Sequence, residues 1–411
     1  MSDTTKRKNV RLPSKGLYSL GISALRPRAK NRLHAKIDKS EIKDIKPPYV
    51  VLSNHCSVND WFIVGSAMYP ERLNVVITRH FYSNPALEPW LWRIGAIPKN
   101  QFAPDVGTIK DILSAAKQGG NVMLFPEGRT SPHGRTETIE KSTVKLLKKL
   151  KLPVVYVHMD GAYFSRPKWS KKDRLGRVDV KVRQMFTAEE LKTMSDDELY
   201  ERMMKLLPTD EFAWQAKNHV KFSGKNFAEG LENLLYMCPK CGGILTTRTD
   251  GDTIFCEKCG NGTKLNNYYE FEPLDPDCVI PENIADWYDL QKEKEREKII
   301  SDPDFKMEGH VVLRRPYRKR GEWLSPVGEG TLTVSRDGVL YEGTQDGEKF
   351  TLHSAIAAQP AMVFGCAEHV ALSKDGEYYS FVPDNLQECI RWALVEEVIH
   401  YLEAEKTEEN A

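Results

Sequence analysis

Four cysteines in two close pairs constrain the fold of this chain more than any other feature. Cys238 with Cys241 and Cys256 with Cys259 both have the Cys-x2-Cys spacing, and fourteen residues separate the pairs. The N-terminus shows no apolar run typical of an export signal, so we expect a reducing compartment, in which such thiols bind metal rather than form disulfides. Four thiolates complete a tetrahedral zinc site and leave no open position. The pattern therefore predicts a zinc ribbon with a structural zinc ion over residues 237–270.

The sequence before the ribbon has the pattern of a separate domain. Residues 49–216 alternate apolar runs of strand length with helical segments, which is typical of an α/β domain. Two capping boxes, Thr187–Glu190 and Ser195–Glu198, begin the helices that close this domain. Residues 217–236 then connect it to the ribbon. Strands are predicted at residues 49–53, 73–78, 121–125, 153–158 and 178–184, and helices at 105–117 and 137–150.

The sequence after the ribbon has a different pattern. Residues 271–305 contain a charged helix, which we interpret as a solvated linker. From residue 306 to 411, short strands alternate with Asp-Gly turns such as Asp337-Gly338, and an amphipathic helix follows. This predicts a small antiparallel β module capped by a C-terminal helix, and it resembles a PH or GRAM-type module. Its basic run is either a solvated loop or a site for a lipid headgroup or protein: Arg314, Arg315, Arg318, Lys319 and Arg320.

Positive charge is concentrated in the N-terminal segment, residues 1–48. Up to Lys46 it has thirteen Lys and Arg against four Asp and Glu, whereas the whole chain has a net charge of only +1. Residues 16–25 are amphipathic, and they form either a helix packed on the domain or an interfacial helix among lipid headgroups. No apolar run is long enough for a simple spanning helix. We therefore expect a cytoplasmic protein, peripheral on the inner face of the membrane, whose basic segment contacts an anionic lipid surface rather than nucleic acid.

The first polar motif, residues 53–60, follows a predicted strand and contains His55 and Asp60. On a helix a step of five residues turns by about 140°, so one continuous helix cannot bring these side chains together. We therefore place His55 in the turn and Asp60 in the next helix, where the carboxylate can fix the tautomer and leave the other ring nitrogen as a base. The alternatives are a histidine that only caps the turn and, less favoured, Cys56 as a nucleophile.

The second polar motif, residues 125–131, follows another predicted strand and contains Glu127, Gly128 and Arg129. Ligands of open α/β sheets bind beyond the carboxyl ends of the strands, so both motifs should line one crevice. The planar guanidinium of Arg129 suits a phosphate, and Glu127 can orient it or bind a substrate hydroxyl. Lys99 supplies a second cation from a third loop. Together these residues predict an anion site beside a base.

These motifs resemble the four conserved blocks of the glycerophospholipid acyltransferase family, which includes lysophosphatidic acid acyltransferases. The blocks correspond to His55 with Asp60 and to residues 95–99, 125–131 and 152–155. The resemblance implies that His55 takes the proton from an acceptor hydroxyl, that Asp60 orients His55, and that Glu127 with Arg129 holds the glycerol phosphate. It also implies a thioester donor, acyl-CoA or acyl carrier protein, a lysophospholipid acceptor, and phosphatidic acid as product.

Two departures from the family pattern leave the acceptor open. The third block reads Glu-Gly-Arg-Thr where the family commonly has Glu-Gly-Thr-Arg, and Lys99 stands where an arginine is usual. Both changes retain positive charge but change its position. Another lysophospholipid or glycerol 3-phosphate is therefore an alternative acceptor. An alternative of another class is a non-catalytic protein whose zinc ribbon and β module recruit a partner or nucleic acid.

Overall fold

The computed structural model describes residues 10–103, 105–316 and 324–409, which form three sheets and the helices around them. The predictions for residues 1–9 and for Arg318, Lys319 and Arg320 lie outside these ranges. The predicted fold class is confirmed: an α/β domain, a region with four clustered cysteines, and an antiparallel half-barrel with a C-terminal helix.

The α/β domain contains one mixed sheet of seven strands, in the order β1-β7-β6-β2-β5-β3-β4. Its strands run parallel except where β6 meets β7. The strands are β1 (Lys36–Asp38), β2 (Val50–Ser53), β3 (Leu73–Thr78), β4 (Ile97–Lys99), β5 (Asn121–Leu124), β6 (Val154–Asp160) and β7 (Asp179–Phe186). The helices are α1 (Lys15–Asn31), α2 (Asp60–Met68), α3 (Glu88–Arg93), α4 (Val106–Lys117), α5 (Ser142–Leu150), α6 (Ala162–Ser165), α7 (Glu190–Thr193), α8 (Asp196–Leu206) and α9 (Glu211–Asn218).

The rest of the chain forms two antiparallel sheets and two long helices. The ribbon sheet has the order β11-β10-β9-β8, and the half-barrel has the order β15-β14-β13-β12-β18-β17-β16. The ribbon strands are β8 (Thr247–Asp250), β9 (Thr253–Cys256), β10 (Gly262–Leu265) and β11 (Phe271–Pro273), and α10 (Ile284–Ser301) follows them. The last elements are β12 (Lys306–Arg315), β13 (Ser325–Ser335), β14 (Gly338–Gln345), β15 (Glu348–Ala355), β16 (Val363–Gly365), β17 (His369–Lys374), β18 (Glu377–Pro383) and α11 (Cys389–Glu409).

Most predicted elements appear within two or three residues of their expected bounds, but α5 begins at Ser142 instead of residue 137. The residues before Ser142, which were predicted to form the first turn of this helix, make other contacts instead. The backbone N–H of Glu137 donates to the Glu127 carboxylate at 3.2 Å, and the Glu137 carboxylate pairs with Arg129. A helix starting at residue 137 would have to give up this local geometry, so tertiary contacts decide where α5 begins.

Helix α10 is not the solvated linker that its charged sequence suggested. Trp287, Tyr288, Gln291 and Glu295 are all buried, with exposed fractions of 3% or less. The Trp287 indole N–H donates to the Met237 carbonyl at 2.8 Å, and Arg391 of α11 donates to Glu295 at 2.7 Å. One continuous hydrophobic cluster joins one face of the α/β sheet, the ribbon, α10 and the half-barrel. Since burying apolar surface stabilises the contacts across it, α10 serves as a central packing element.

Helix α1 packs on the α/β domain, which is the first of its two predicted alternatives. Tyr18 and Ile22 are buried, and Ile22 closely approaches Gly65 of α2. Leu20, on another side of α1, is 72% exposed. Among the described residues, no helix combines the length and the apolar character needed to cross a bilayer.

Candidate functional site

The two polar motifs meet beyond the carboxyl ends of adjacent strands. Strand β2 lies beside β5, and the motifs containing His55 and Glu127 follow these two strands. The Glu127 carboxylate accepts the backbone N–H of His55 at 2.8 Å, and the backbone N–H of Ser131 donates to the His55 carbonyl at 2.7 Å. These bonds between the two turns fix the position of the histidine.

Asp60 holds the imidazole of His55 from the first turn of α2. The His55 Nδ1–H donates to the Asp60 Oδ2 at 2.8 Å, and the same oxygen accepts the backbone N–H groups of Cys56 and Ser57. The Asp60 side chain is fully buried. Burial raises its pKa, while the bonds from His55 and the two N–H groups lower it. A carboxylate on Nδ1 leaves Nε2 as the ring nitrogen that can accept a proton.

The Nε2 atom of His55 lies beside a hydroxyl group. The Oγ1 atom of Thr130 is 3.0 Å from it, and the Phe125 ring stacks on the imidazole at 4.0 Å and 18°. The His55 side chain remains 21% exposed. The arrangement therefore has a fixed base that a hydroxyl can reach. Thr130 was missed by the sequence analysis, and its position directly after Arg129 was the signal that could have found it.

Glu127 and Gly128 shape the turn after β5. Glu127 is 4% exposed, and burial raises its pKa to about 8 although two backbone N–H bonds lower it. Gly128 has φ +72°, which favours glycine, and its carbonyl accepts the Gln101 amide at 2.7 Å. That bond brings the loop after β4 to the turn.

Lys99 is the last residue of β4 and pairs with Thr78, so it lies in a strand and not in the predicted loop. It is half-buried, its ammonium donates to the adjacent Asn100 carbonyl at 3.2 Å, and burial lowers its pKa.

Arg129 points into the protein and is 6% exposed. Its guanidinium pairs with the carboxylates of Glu137 and of Glu397 on α11, and Lys292 of α10 also pairs with Glu397 at 2.7 Å. Burial alone would lower the pKa of Arg129, but the two carboxylates hold it well above its ordinary value. The phosphate-binding role of Arg129 therefore stays a prediction, since two anions already neutralise its charge.

The half-barrel covers this edge of the α/β sheet, which the sequence did not indicate. Tyr378 of β18 lies 4.7 Å, ring to ring, from His80 in the turn after β3. Phe364 of β16 lies between two cations, at 3.6 Å from the Lys168 ammonium and 5.9 Å from the Arg129 guanidinium carbon. All three partners in the α/β domain follow the carboxyl ends of its strands. The C-terminal module is thus part of the wall of the candidate site.

The four predicted metal ligands come together in the ribbon. The Sγ atoms of Cys238, Cys241, Cys256 and Cys259 all lie within 4.8 Å of one another. The Cys238–Cys259 and Cys241–Cys256 sulfur distances are 3.7 and 3.8 Å. A tetrahedron of zinc–sulfur bonds of about 2.3 Å has sulfur–sulfur edges of about 3.8 Å, so this cluster fits zinc. Four protein ligands leave no position for substrate, so the metal would be structural.

A glycine after each cysteine pair allows the tight turn around the metal. Gly242 and Gly260 have φ +66° and +73°. Their N–H groups donate to the carbonyls of Cys238 and Cys256 at 3.0 and 2.9 Å. A side chain at either position would be strained in this conformation. The local sequence therefore builds the ligand geometry directly.

We expect the purified protein to contain about one zinc ion per chain, because four thiolates complete one site. Changing Cys256→Ser should abolish stoichiometric zinc and expose the ribbon to proteolysis, since such ribbons fold with their metal. Cys278→Ser is the matched control, because the Cys278 sulfur accepts the Gly262 N–H at 3.4 Å but lies outside the four-sulfur cluster. Elemental analysis and limited proteolysis check both. Wild-type protein that resists proteolysis in the ribbon without binding zinc would contradict the site.

Comparisons with known proteins concern the α/β domain. Residues 32–160 match the family model described as Acyltransferase. The crystal structure of the 1-acyl-sn-glycerophosphate (LPA) acyltransferase PlsC from Thermotoga maritima is similar, with 18% identity and a TM-score of 0.37, and the match covers 47% of this chain and 81% of that chain. No curated relative matches the sequence at a significant level. The match to the family model includes His55, Asp60 and Glu127 and ends before the four clustered cysteines of the ribbon.

Proposed function

We propose that this protein transfers an acyl group from acyl-CoA or acyl carrier protein to the free hydroxyl of 1-acylglycerol 3-phosphate at a membrane surface, giving phosphatidic acid. The observation that carries the proposal is the His55 imidazole, held by Asp60 at 2.8 Å on one nitrogen and facing a hydroxyl at 3.0 Å on the other. The match of residues 32–160 to the Acyltransferase family model supports the reaction class.

In the proposed mechanism the acceptor hydroxyl takes the position beside Nε2 of His55 that the Thr130 hydroxyl now approaches. His55 removes its proton as the oxygen attacks the thioester carbonyl, and Asp60 stabilises the imidazolium that forms. The carbon–sulfur bond then breaks, and the proton passes from His55 to the departing thiolate. A thiolate with a pKa near 8.5 leaves readily, so no strong general acid is needed.

The proposed acceptor is a lysophospholipid, and its phosphate requires a cation near His55. Three cations lie at the carboxyl edge of the sheet: Lys99 ends β4, and Arg129 and Lys168 lie in loops. We assign Glu127 and Gly128 to shaping the turn, because both Glu127 oxygens accept backbone N–H groups.

A lipid acceptor also implies that the protein acts at the surface of a bilayer. The exposed apolar side chains Leu20, Trp61 and Trp90 in the α/β part of the chain suit that environment.

A matrix of donors and acceptors on liposomes tests the proposal. Wild-type protein should release thiol from acyl-CoA or acyl carrier protein when 1-acylglycerol 3-phosphate is present, and phosphatidic acid should form. The acceptors to compare are lysophosphatidic acid, lysophosphatidylcholine, lysophosphatidylglycerol and glycerol 3-phosphate. Binding of DNA or RNA in a gel shift, with no transfer to any of these acceptors, would instead favour a non-catalytic recruitment protein.

A further inference from the structure

Lys168 is a cation of the α/β domain that no motif singles out. It follows α6, it is half-buried, and its ammonium lies 3.6 Å from the Phe364 ring centroid of the half-barrel. We propose that Lys168 binds the phosphate group of the acceptor, an inference that rests on the proposed acyl transfer to a phosphorylated lipid. Three observations carry it: the place of Lys168, its lack of a direct ion pair among the described residues, and the geometry of the acceptor.

The loop of Lys168 is bonded to the turn of the catalytic histidine. The Arg166 carbonyl accepts the Ser57 hydroxyl at 3.1 Å and the Val58 backbone N–H at 3.4 Å, and both donors lie within three residues of His55. A second connection passes through Phe364. The same ring lies 5.9 Å from the Arg129 guanidinium carbon, and the next residue, Thr130, contacts Nε2 of His55. The loop of Lys168 is therefore bonded to the turn of His55, and its ammonium shares the Phe364 ring with Arg129.

Lys168 makes no direct ion pair within the ranges that the structure describes, although the Glu137 and Glu368 carboxylates act on its charge from a greater distance. The Lys168 ammonium makes a cation–π contact with Phe364, whereas Arg129 is paired with two carboxylates. Burial lowers the pKa of Lys168 to about 8. Taking a cation out of water without an anion is unfavourable. A phosphate would supply the missing charge and satisfy the ammonium donors, so Lys168 is better prepared for an anionic ligand than Arg129 is.

The acceptor and the donor both carry phosphate, but only the acceptor phosphate must lie close to His55. In 1-acylglycerol 3-phosphate the phosphate ester is on the carbon next to the one that bears the reacting hydroxyl. The phosphate groups of coenzyme A lie at the far end of the pantetheine arm from the thioester. A cation beside the histidine turn therefore fits the acceptor.

Changing Lys168→Met should raise the KM for 1-acylglycerol 3-phosphate on liposomes by about 10- to 100-fold, the range expected for losing a charged hydrogen bond. The kcat and the KM for the acyl donor should stay near their wild-type values. Lys171→Met is the matched control, because Lys171 is an exposed lysine three residues away. A rise in the donor KM alone, or an unchanged acceptor KM, would overturn the inference.

A pH comparison with Lys168→Arg separates charge from packing. Lys168 is protonated below its pKa of about 8 and loses its charge as pH rises through that value, so the wild-type KM for the acceptor should rise between about pH 7 and about pH 9.5. An arginine stays charged, so this variant should show a flatter profile with the same acceptor. The pKa of Cys366 is raised to about 11 and that of His369 is lowered to about 4, both outside this window. The other charged groups that act on Lys168 are Arg129, Glu137 and Glu368.

Failure of the inference can be told from failure of the proposed function. If wild type makes phosphatidic acid but Lys168→Met keeps its acceptor KM, the inference is wrong and the function stands. If wild type acylates none of the acceptors, the function itself fails. Should Lys168→Met not fold, the pH comparison decides, and identical profiles for wild type and Lys168→Arg would contradict the role of Lys168.

Discussion

Replacing His55 with alanine should reduce kcat/KM for acyl transfer by about a thousandfold, within the range of contributions measured for general bases. The loss should appear in kcat, because the role proposed for His55 concerns the reacting hydroxyl and not the headgroup. The fold should survive, since Asp60 keeps its bonds from the Cys56 and Ser57 N–H groups. Thiol release on liposomes and thermal unfolding followed by circular dichroism measure the two effects.

His158→Ala is the matched control for this prediction. His158 is at the carboxyl end of β6, beside β2, and its Nε2 atom lies 2.9 Å from Asp160. It is 21% exposed, as His55 is. The His158→Ala control should keep most of the activity, because His158 is hydrogen-bonded to Tyr156 and is not part of the turn that contains Glu127. The assignment of the base would be contradicted if His55→Ala kept full activity, or if only His158→Ala lost activity.

The parts of the structure that sequence predicted are those that local patterns determine. Strand length, Asp-Gly turns and capping boxes depend on neighbouring residues, and these elements appear close to their expected positions. The geometry of His55 and Asp60 could also be predicted, because a step of five residues between their positions cannot bring both side chains together on one helix. The metal site could be predicted because all four ligands lie within one short segment and their spacing is characteristic of a zinc ribbon.

The parts that sequence missed depend on contacts between distant residues. Glu397 lies 268 positions from Arg129, and nothing local distinguishes a glutamate that pairs with a buried guanidinium from one in solvent. The same holds for α10, where Trp287 and Tyr288 were outweighed by many charged neighbours in the prediction of a solvated helix. A charge pattern shows how many charged side chains a helix has. It does not show which of those side chains will be buried in ion pairs by tertiary packing.

The position of the half-barrel changes the interpretation of the whole site. A module attached only by a flexible linker would not contact the candidate site, but here Phe364 and Glu397 contact Lys168 and Arg129, in loops beyond the carboxyl ends of the strands. Changes in α11 can therefore act on the site directly. Arg129 joins the two parts through a buried ion pair with Glu397 of α11, and it also pairs with Glu137 of its own domain.

Changing Arg129→Ala should therefore lower the free energy of unfolding by about 3–5 kcal/mol, the cost of leaving buried carboxylates without their partner. Arg135→Ala is the matched control: Arg135 pairs with three carboxylates but is 27% exposed, so its loss should cost about 1 kcal/mol or less. The double variant Arg129→Met with Glu397→Gln should recover part of the stability, because it removes charge on both sides. Urea unfolding measures all three. An Arg129→Ala protein as stable as wild type, with a raised KM for the phosphorylated acceptor, would show instead that the guanidinium leaves its carboxylates to hold substrate.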